Sequence, residues 1–125
     1  MSSVNTIASA NAVEWIKKNQ EQVTTHVAWH PTVSESESEK MLKGKSPFTY
    51  LIRGGDKEHL YYISFVQEDG SLKHQWFVLE FDRNGWVYRN AGTKGPNGLV
   101  SKELHTLIPQ ILHCDLLACK PLMKN

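Results

Sequence analysis

The stretch from Phe48 to Asn90 admits few folds. Three runs rich in aromatic and β-branched residues follow one another: FTYLIR (48–53), HLYYISFVQ (59–67) and SLKHQWFVLEF (71–81). Asp69-Gly70 between the second and third is a strong hairpin-turn pair, and Arg83-Asn84-Gly85 turns the chain into a fourth run, WVYRN (86–90). This is an antiparallel meander. Both alternating sets of residues in the first two runs are largely apolar, so both faces of the sheet require cover.

Helical patterns on either side of the meander supply it. Ser34 and Glu37 have capping-box spacing, with Val33 ahead as a staple residue. Glu35, Glu37 and Glu39 crowd the early turns, Lys40 and Lys43 the late ones, and Gly44 follows, which suits the helix dipole at both ends and predicts a helix over 35–43. Beyond a loop at AGTKGPNG (91–98), Leu104, Leu107, Ile108, Ile111 and Leu112 fall on one helical stripe. Pro109 interrupts that stripe, so the helix is expected to kink there or to end near Ile108. The tail CDLLACKPLMKN is apolar enough to pack back on the body. Upstream, AVEWIKKNQEQV suits a short helix within 12–24, with Val13, Ile16 and Trp15 inward, after a loose tail over 1–11. The expected architecture is α+β: a central antiparallel β-sheet flanked by one α-helix on each face, with a short extra N-terminal helix ahead of a domain over 25–125.

Within the first strand Phe48, Tyr50 and Ile52 share one face, and Thr49, Leu51 and Arg53 the other. Arg53 thus projects towards a helix-covered face, where an unmatched guanidinium costs several kcal/mol. Gly54-Gly55 follows at once, and Asp56, Lys57 and Glu58 continue the loop. Two readings fit these residues. Either Arg53 pairs with an internal carboxylate, Glu80 being a candidate, and the glycines only make a turn. Or Arg53 and a nest of backbone amides receive an anionic ligand, for which a phosphate suits the two-pronged guanidinium.

Charge narrows the ligand. With 14 basic against 13 acidic residues the net charge is +1, so nucleic acid is not an expected partner and any anion meets a local site. No stretch approaches the roughly 20 apolar residues of a membrane span, and the N-terminus lacks the pattern of a signal peptide. Cys114 and Cys119 suit two reduced thiols of a cytoplasmic protein. Together with His113 they are soft-ligand types, yet no Cys-x-x-Cys or His-Glu-x-x-His spacing is present, and neither metal nor other cofactor is expected. There is no Gly-x-Ser-x-Gly elbow, no nucleophile with a partner base is evident, and SESESE reads as a solvated helix start, so the expected role is non-catalytic.

WHPTVSESESEKML, YLIRGGD, YYISFV, GSLKHQWFV, GWVYRN and LHTLI occur in an order and spacing that resembles the Src homology 2 (phosphotyrosine-binding) family over roughly residues 28–120. Trp29-His30, Met41-Leu42, Tyr50-Leu51-Ile52-Arg53, Ser64-Phe65, Lys73-His74 and Leu104 to Ile108 stand at the places of that family's pattern. The resemblance implies that Arg53 binds the phosphate of phosphotyrosine at the bottom of a pocket that phosphoserine is too short to reach. It also implies that amides of Gly55, Asp56, Lys57 and Glu58 take further phosphate oxygens, and that Ser64, His74 and Trp76 complete the site. Residues following the phosphotyrosine would run past Lys73, Gln75, Tyr88, Thr93 and Lys94, between loops at 90–98 and 112–119. Tyrosine-phosphorylated proteins or peptides are the implied partners of a monomer acting in its own cytoplasm or, if microbial, in that of a host.

Three positions depart from the family pattern. Glu35 stands where a basic residue is usual, Gly55 where a serine is, and Trp76 where Lys or Arg is frequent. A phosphate of charge about −1.5 to −2 would meet fewer side-chain donors than usual, so that either Lys57 and the loop amides compensate or the pocket is weaker or altered, and Trp76 either packs on the sheet or stacks on the ring. The alternative is a degenerate scaffold of the same fold that binds unmodified peptide.

Overall fold

The meander forms as β1 (Thr49–Gly54), β2 (Leu60–Val66), β3 (Leu72–Asp82) and β4 (Gly85–Asn90). The computed structural model describes residues 14, 17–82, 85–90 and 100–123. The tail over 1–11, the inward placing of Val13, Trp15 and Ile16, the turn residues Arg83 and Asn84, and the loop 91–98 with Thr93 and Lys94 lie outside the described residues.

Two short strands extend the sheet to the order β5-β4-β3-β2-β1-β6. β5 (Val100–Ser101) pairs antiparallel with β4, and β6 (Lys120–Pro121) pairs parallel with β1. Two residues carry no readable alternation, which is why the sequence shows only four strands. The tail packs back through backbone bonds: Lys120 N–H donates to Phe48 O (2.9 Å) and Leu122 N–H to Tyr50 O (2.7 Å). Further along the same edge, Ile52 N–H donates to Ala28 O and His30 N–H to Ile52 O. The His30 Nε2–H closes the seam by donating to Leu122 O at 2.7 Å. The outer edge of β1 is thereby covered, and the strand that ends in Arg53 is held from both sides.

The helices divide the faces. α1 (residues 17–24) and α3 (Leu104–Leu112) cover one of them. Tyr50, Ile52, Tyr61, Ile63, Phe65, Phe77, Leu79 and Tyr88 there meet Val23, Leu104, Leu107, Ile108, Ile111 and Leu112 in the main core. α2 (Glu35–Leu42) covers the other, over a smaller cluster of Leu42, Leu51 and Val66. The expected capping box is present: Glu37 N–H donates to Ser34 Oγ (3.1 Å) and Ser34 N–H to Glu37 Oε1 (3.4 Å), an arrangement worth about 1 kcal/mol. The helix ends at Leu42, one residue before the expected boundary, and Gly44 takes φ +77° just beyond it.

Pro109 does not end its helix. α3 continues to Leu112, and His113 adopts the left-handed conformation after it. An internal proline costs about 3 kcal/mol, but burying Ile111 and Leu112, 2% and 3% exposed, returns about 1.5–3 kcal/mol each. The core outweighs the local rule.

His26, just beyond α1, is half-buried, and its Nδ1 accepts the Ala28 N–H at 3.0 Å, so the fold holds the neutral ring. Burial lowers its pKa below 6.5. The unfolded chain therefore takes up the proton first. This contribution to stability should be fully present above about pH 6.5 and should fall as acid passes through the lower folded value. Urea denaturation from pH 7.5 to 5 should show that loss in the wild type and a shallower slope in His26→Asn.

Candidate functional site

β1, β2 and β3 are in register so that the polar residues of the α2 face form two cross-strand rows. Leu51, Ser64 and His74 stand opposite one another, and Arg53, Tyr62 and Trp76 form the next row outward. Arg53 is 7% exposed. Its Nε–H donates to Ser64 Oγ at 3.1 Å, its Nη2 lies 3.4 Å from His74 Nδ1, and its guanidinium carbon sits 4.5 Å from the centre of the Tyr62 ring. No carboxylate among the described residues forms an ion pair with it. Glu80, the internal candidate, instead pairs with Arg89 at the far part of β3. Burial lowers the Arg53 pKa from its ordinary value, and the charges of Glu35, Tyr62 and Glu39 act against that shift.

Arg53 opens onto a cavity of about 240 Å³ lined by Glu35, Arg53, Gly54, Gly55, Asp56 and Tyr62. A hollow of about 520 Å³ lies against His30, Met41 and Leu122, and one of about 750 Å³ against Gln110, His113 and Ala118. Both are larger, but neither has a buried charge in its lining. The small cavity is the chemically distinctive one.

The loop above Arg53 differs from the expected nest. Gly54 is the last residue of β1, paired with Tyr61, and neither Gly54 nor Gly55 has positive φ. The Gly55 N–H is committed to Leu60 O at 2.9 Å, so it is not the phosphate donor expected from the resemblance. A Cβ at position 55 would lie 2.8 Å from Leu60 Cγ and 2.9 Å from Leu60 O. Close approach of the returning strand, not a left-handed backbone, therefore excludes the family's serine here. Leu60 N–H donates to Lys57 O (3.2 Å), so the loop is folded on itself, with Asp56, Lys57 and Glu58 exposed.

The remaining expected residues separate. Ser64 is fully buried and His74 partly so, in contact with each other through Ser64 Oγ and His74 Nδ1 at 2.7 Å. Trp76 is 43% exposed beside Tyr62 in register. Lys73 and Gln75 point to the opposite face of β3, in the half of the strand that precedes the first β4 pairing at Phe77. Tyr88 requires correction: it is fully buried, its hydroxyl donates to Asn19 O at 2.8 Å, and it packs edge-on to Phe77. α1 covers it, so its side chain cannot line a peptide path.

One contact escaped the sequence. Glu35 and Glu39, one helical turn apart, both face His74, with His74 Nε2 3.0 Å from Glu39 Oε1 and 3.8 Å from Glu35 Oε1. The i, i+4 spacing of two glutamates on α2 was the signal available, but pairing them with a residue 35 positions on needed the fold. Ser64, His74 and Glu39 thus have the connectivity of a hydrolase triad, in contrast to the sequence reading, which found no nucleophile with a base. Ser64 is buried beneath Arg53, however, and its oxygen already accepts the Arg53 N–H. That environment suits a structural relay and leaves a substrate carbonyl no access. The geometry of the loop gives a direct test: Gly55→Ser should destabilise the protein by about 1–3 kcal/mol through overpacking, measured by chemical denaturation, and should not strengthen anion binding.

No protein-family model matches the chain, and no curated protein does. Solved structures do. CED-2 superposes with a TM-score of 0.56 at 16% identity, over 90% of this chain, which spans 61% of the length of CED-2. The Src homology 2 (SH2) domain of the Monosiga brevicollis CRK/CRKL homologue matches with a TM-score of 0.58 at 18% identity, over 79% of this chain and 88% of that one. The VAV1 SH2 domain, solved in complex with a tyrosine-phosphorylated peptide from SLP76, matches with a TM-score of 0.54 at 16% identity, over 82% and 76%. At these identities the likeness is one of fold, and the fold of this chain is that of an SH2 domain.

Proposed function

We propose that the protein is a binding module for phosphotyrosine-containing peptides, with the phosphate received by Arg53. The observation that carries this reading is a guanidinium 7% exposed, at the wall of a small cavity, with Ser64, His74 and the Tyr62 ring as close partners and no carboxylate among the described residues paired with it. A buried cation without a carboxylate retains much of its desolvation cost. An anion entering the cavity relieves it and gains two parallel charge-assisted hydrogen bonds. The match to a domain solved with a tyrosine-phosphorylated peptide supports the same reading.

The pocket works with few cations. Glu35 and Asp56 line the cavity beside Arg53, and Lys57 and Glu58 follow on the exposed loop. A phosphate would therefore meet Arg53 against a background of carboxylates, with Lys57 and the amides of residues 56–58 to reach it only from the rim. Tyr62 forms one aromatic wall, and Trp76, next to it across the strands, offers a second surface for a phenol ring. The residues after the phosphotyrosine would pass over Lys73 and Gln75 towards the hollow at Gln110, His113 and Ala118 on the α3 side. Glu35 in the wall of the cavity also favours a second reading, in which the fold serves as a scaffold for unmodified peptide.

Titration calorimetry with one peptide carrying phosphotyrosine, tyrosine or phosphoserine separates the two. The proposal expects heat with the first alone, and loss of about 2–5 kcal/mol of binding in Arg53→Ala with the fold preserved by circular dichroism. Equal binding of all three peptides, or equal binding by wild type and folded Arg53→Ala, would overturn it in favour of the scaffold.

A further inference from the structure

Arginine only donates hydrogen bonds, so the Arg53 Nε–H donates to Ser64 Oγ at 3.1 Å. Ser64 is fully buried, and among the described residues its Oγ has one other side-chain partner, His74 Nδ1 at 2.7 Å. The hydroxyl proton points there, because a buried hydroxyl left without an acceptor costs about 1–3 kcal/mol. Nδ1 is then an acceptor, approached also by Arg53 Nη2, and the ring proton resides on Nε2. At that nitrogen Glu39 Oε1 waits at 3.0 Å. Every donor faces an acceptor in one direction, from Arg53 to Ser64 to His74 to Glu39. The other tautomer would set the Nε2 lone pair against a carboxylate and an Nδ1–H against the N–H groups of Arg53. A ring protonated at both nitrogens would keep the second of those conflicts.

We infer that Glu39 is a positioning residue of the anion pocket, acting through His74 and Ser64 to hold Arg53 by its Nε–H and one N–H of Nη2 and leave the remaining Nη N–H groups for the ligand. The inference rests on the phosphotyrosine reading for its consequence, though not for its geometry. Glu39 belongs to α2, whereas Arg53 ends β1, so the relay also locks the helix to the strand at the cavity wall. Its effect on affinity has two opposed parts. The carboxylate, 51% exposed and close to Glu35, repels a phosphate dianion, while the oxygen that accepts from Nε2 keeps the guanidinium aimed.

Two substitutions remove the same charge and differ only in that acceptor. In Glu39→Gln the amide oxygen can still receive the Nε2–H, and phosphotyrosine-peptide affinity should equal or exceed wild type by up to about threefold. In Glu39→Leu the acceptor is gone, and affinity should fall at least fivefold below that of Glu39→Gln; Glu39→Ala, which keeps helix propensity, should match it. Nitrogen-15 NMR of the ring should show the Nε2–H tautomer in wild type and Glu39→Gln, and a mixture of tautomers in Glu39→Leu and Glu39→Ala. Equal affinities across the three variants, or a wild-type ring protonated at Nδ1, would overturn the inference. If wild type binds no phosphotyrosine peptide, the functional reading fails by itself, and the nitrogen shifts still decide the relay.

Discussion

A guanidinium buried without a carboxylate is the constraint around which the α2 face is organised. Leu51 and Val66 seal that face on one side, and Leu42 caps it from the helix. The rest of the surface beneath α2 is given over to Ser64, His74 and Tyr62, which satisfy Arg53 without neutralising it. The large apolar cluster accordingly lies on the other face, under α1 and α3. Covering the outer edge of β1 with residues 28–30 and 120–122 fixes the strand that carries the charge, so its position is set by backbone bonds on both sides.

The acidic residues give this pocket a different balance from one rich in cations. Glu35 and Glu39 feel the Arg53 charge without touching it, and Glu39 is connected to it through two intermediates. Under the inferred relay, such an arrangement would keep the arginine oriented before a ligand arrives while leaving its charge available. Trp76 stands where Lys or Arg is frequent in the family pattern, and with Tyr62 beside it in register it makes an aromatic surface; under the proposed reading, recognition of a phosphotyrosine would rest less on its phosphate and more on its ring.

Much of this was legible in local patterns. Alternation in FTYLIR placed Arg53 on a helix-covered face, the Ser34–Glu37 spacing marked the start of α2, and Asp69-Gly70 marked the hairpin. What was not legible depends on partners distant in sequence or on the outcome of packing. Tyr88 looked available for a ligand because nothing local says that Asn19 will accept its hydroxyl. Gly55 looked like a conformational glycine, whereas its reason is the proximity of Leu60. Pro109 left open whether its helix ends near Ile108 or runs on with a kink, and the burial of Ile111 and Leu112 carries it on. The contact of Glu39 with His74 joins a helix to a strand, and no spacing rule reaches that far.

Arg53 is buried at a cost, which the proposed phosphotyrosine ligand would relieve. The most direct measurement is urea unfolding of wild type and Arg53→Met, each with and without a phosphotyrosine peptide. Methionine fills similar volume without charge, so Arg53→Met should be at least as stable as wild type when no peptide is present. Peptide at 100 times its dissociation constant should stabilise wild type by about 2.7 kcal/mol and leave Arg53→Met unchanged. A less stable Arg53→Met that gains as much from the peptide as wild type would instead make Arg53 a structural residue of the core.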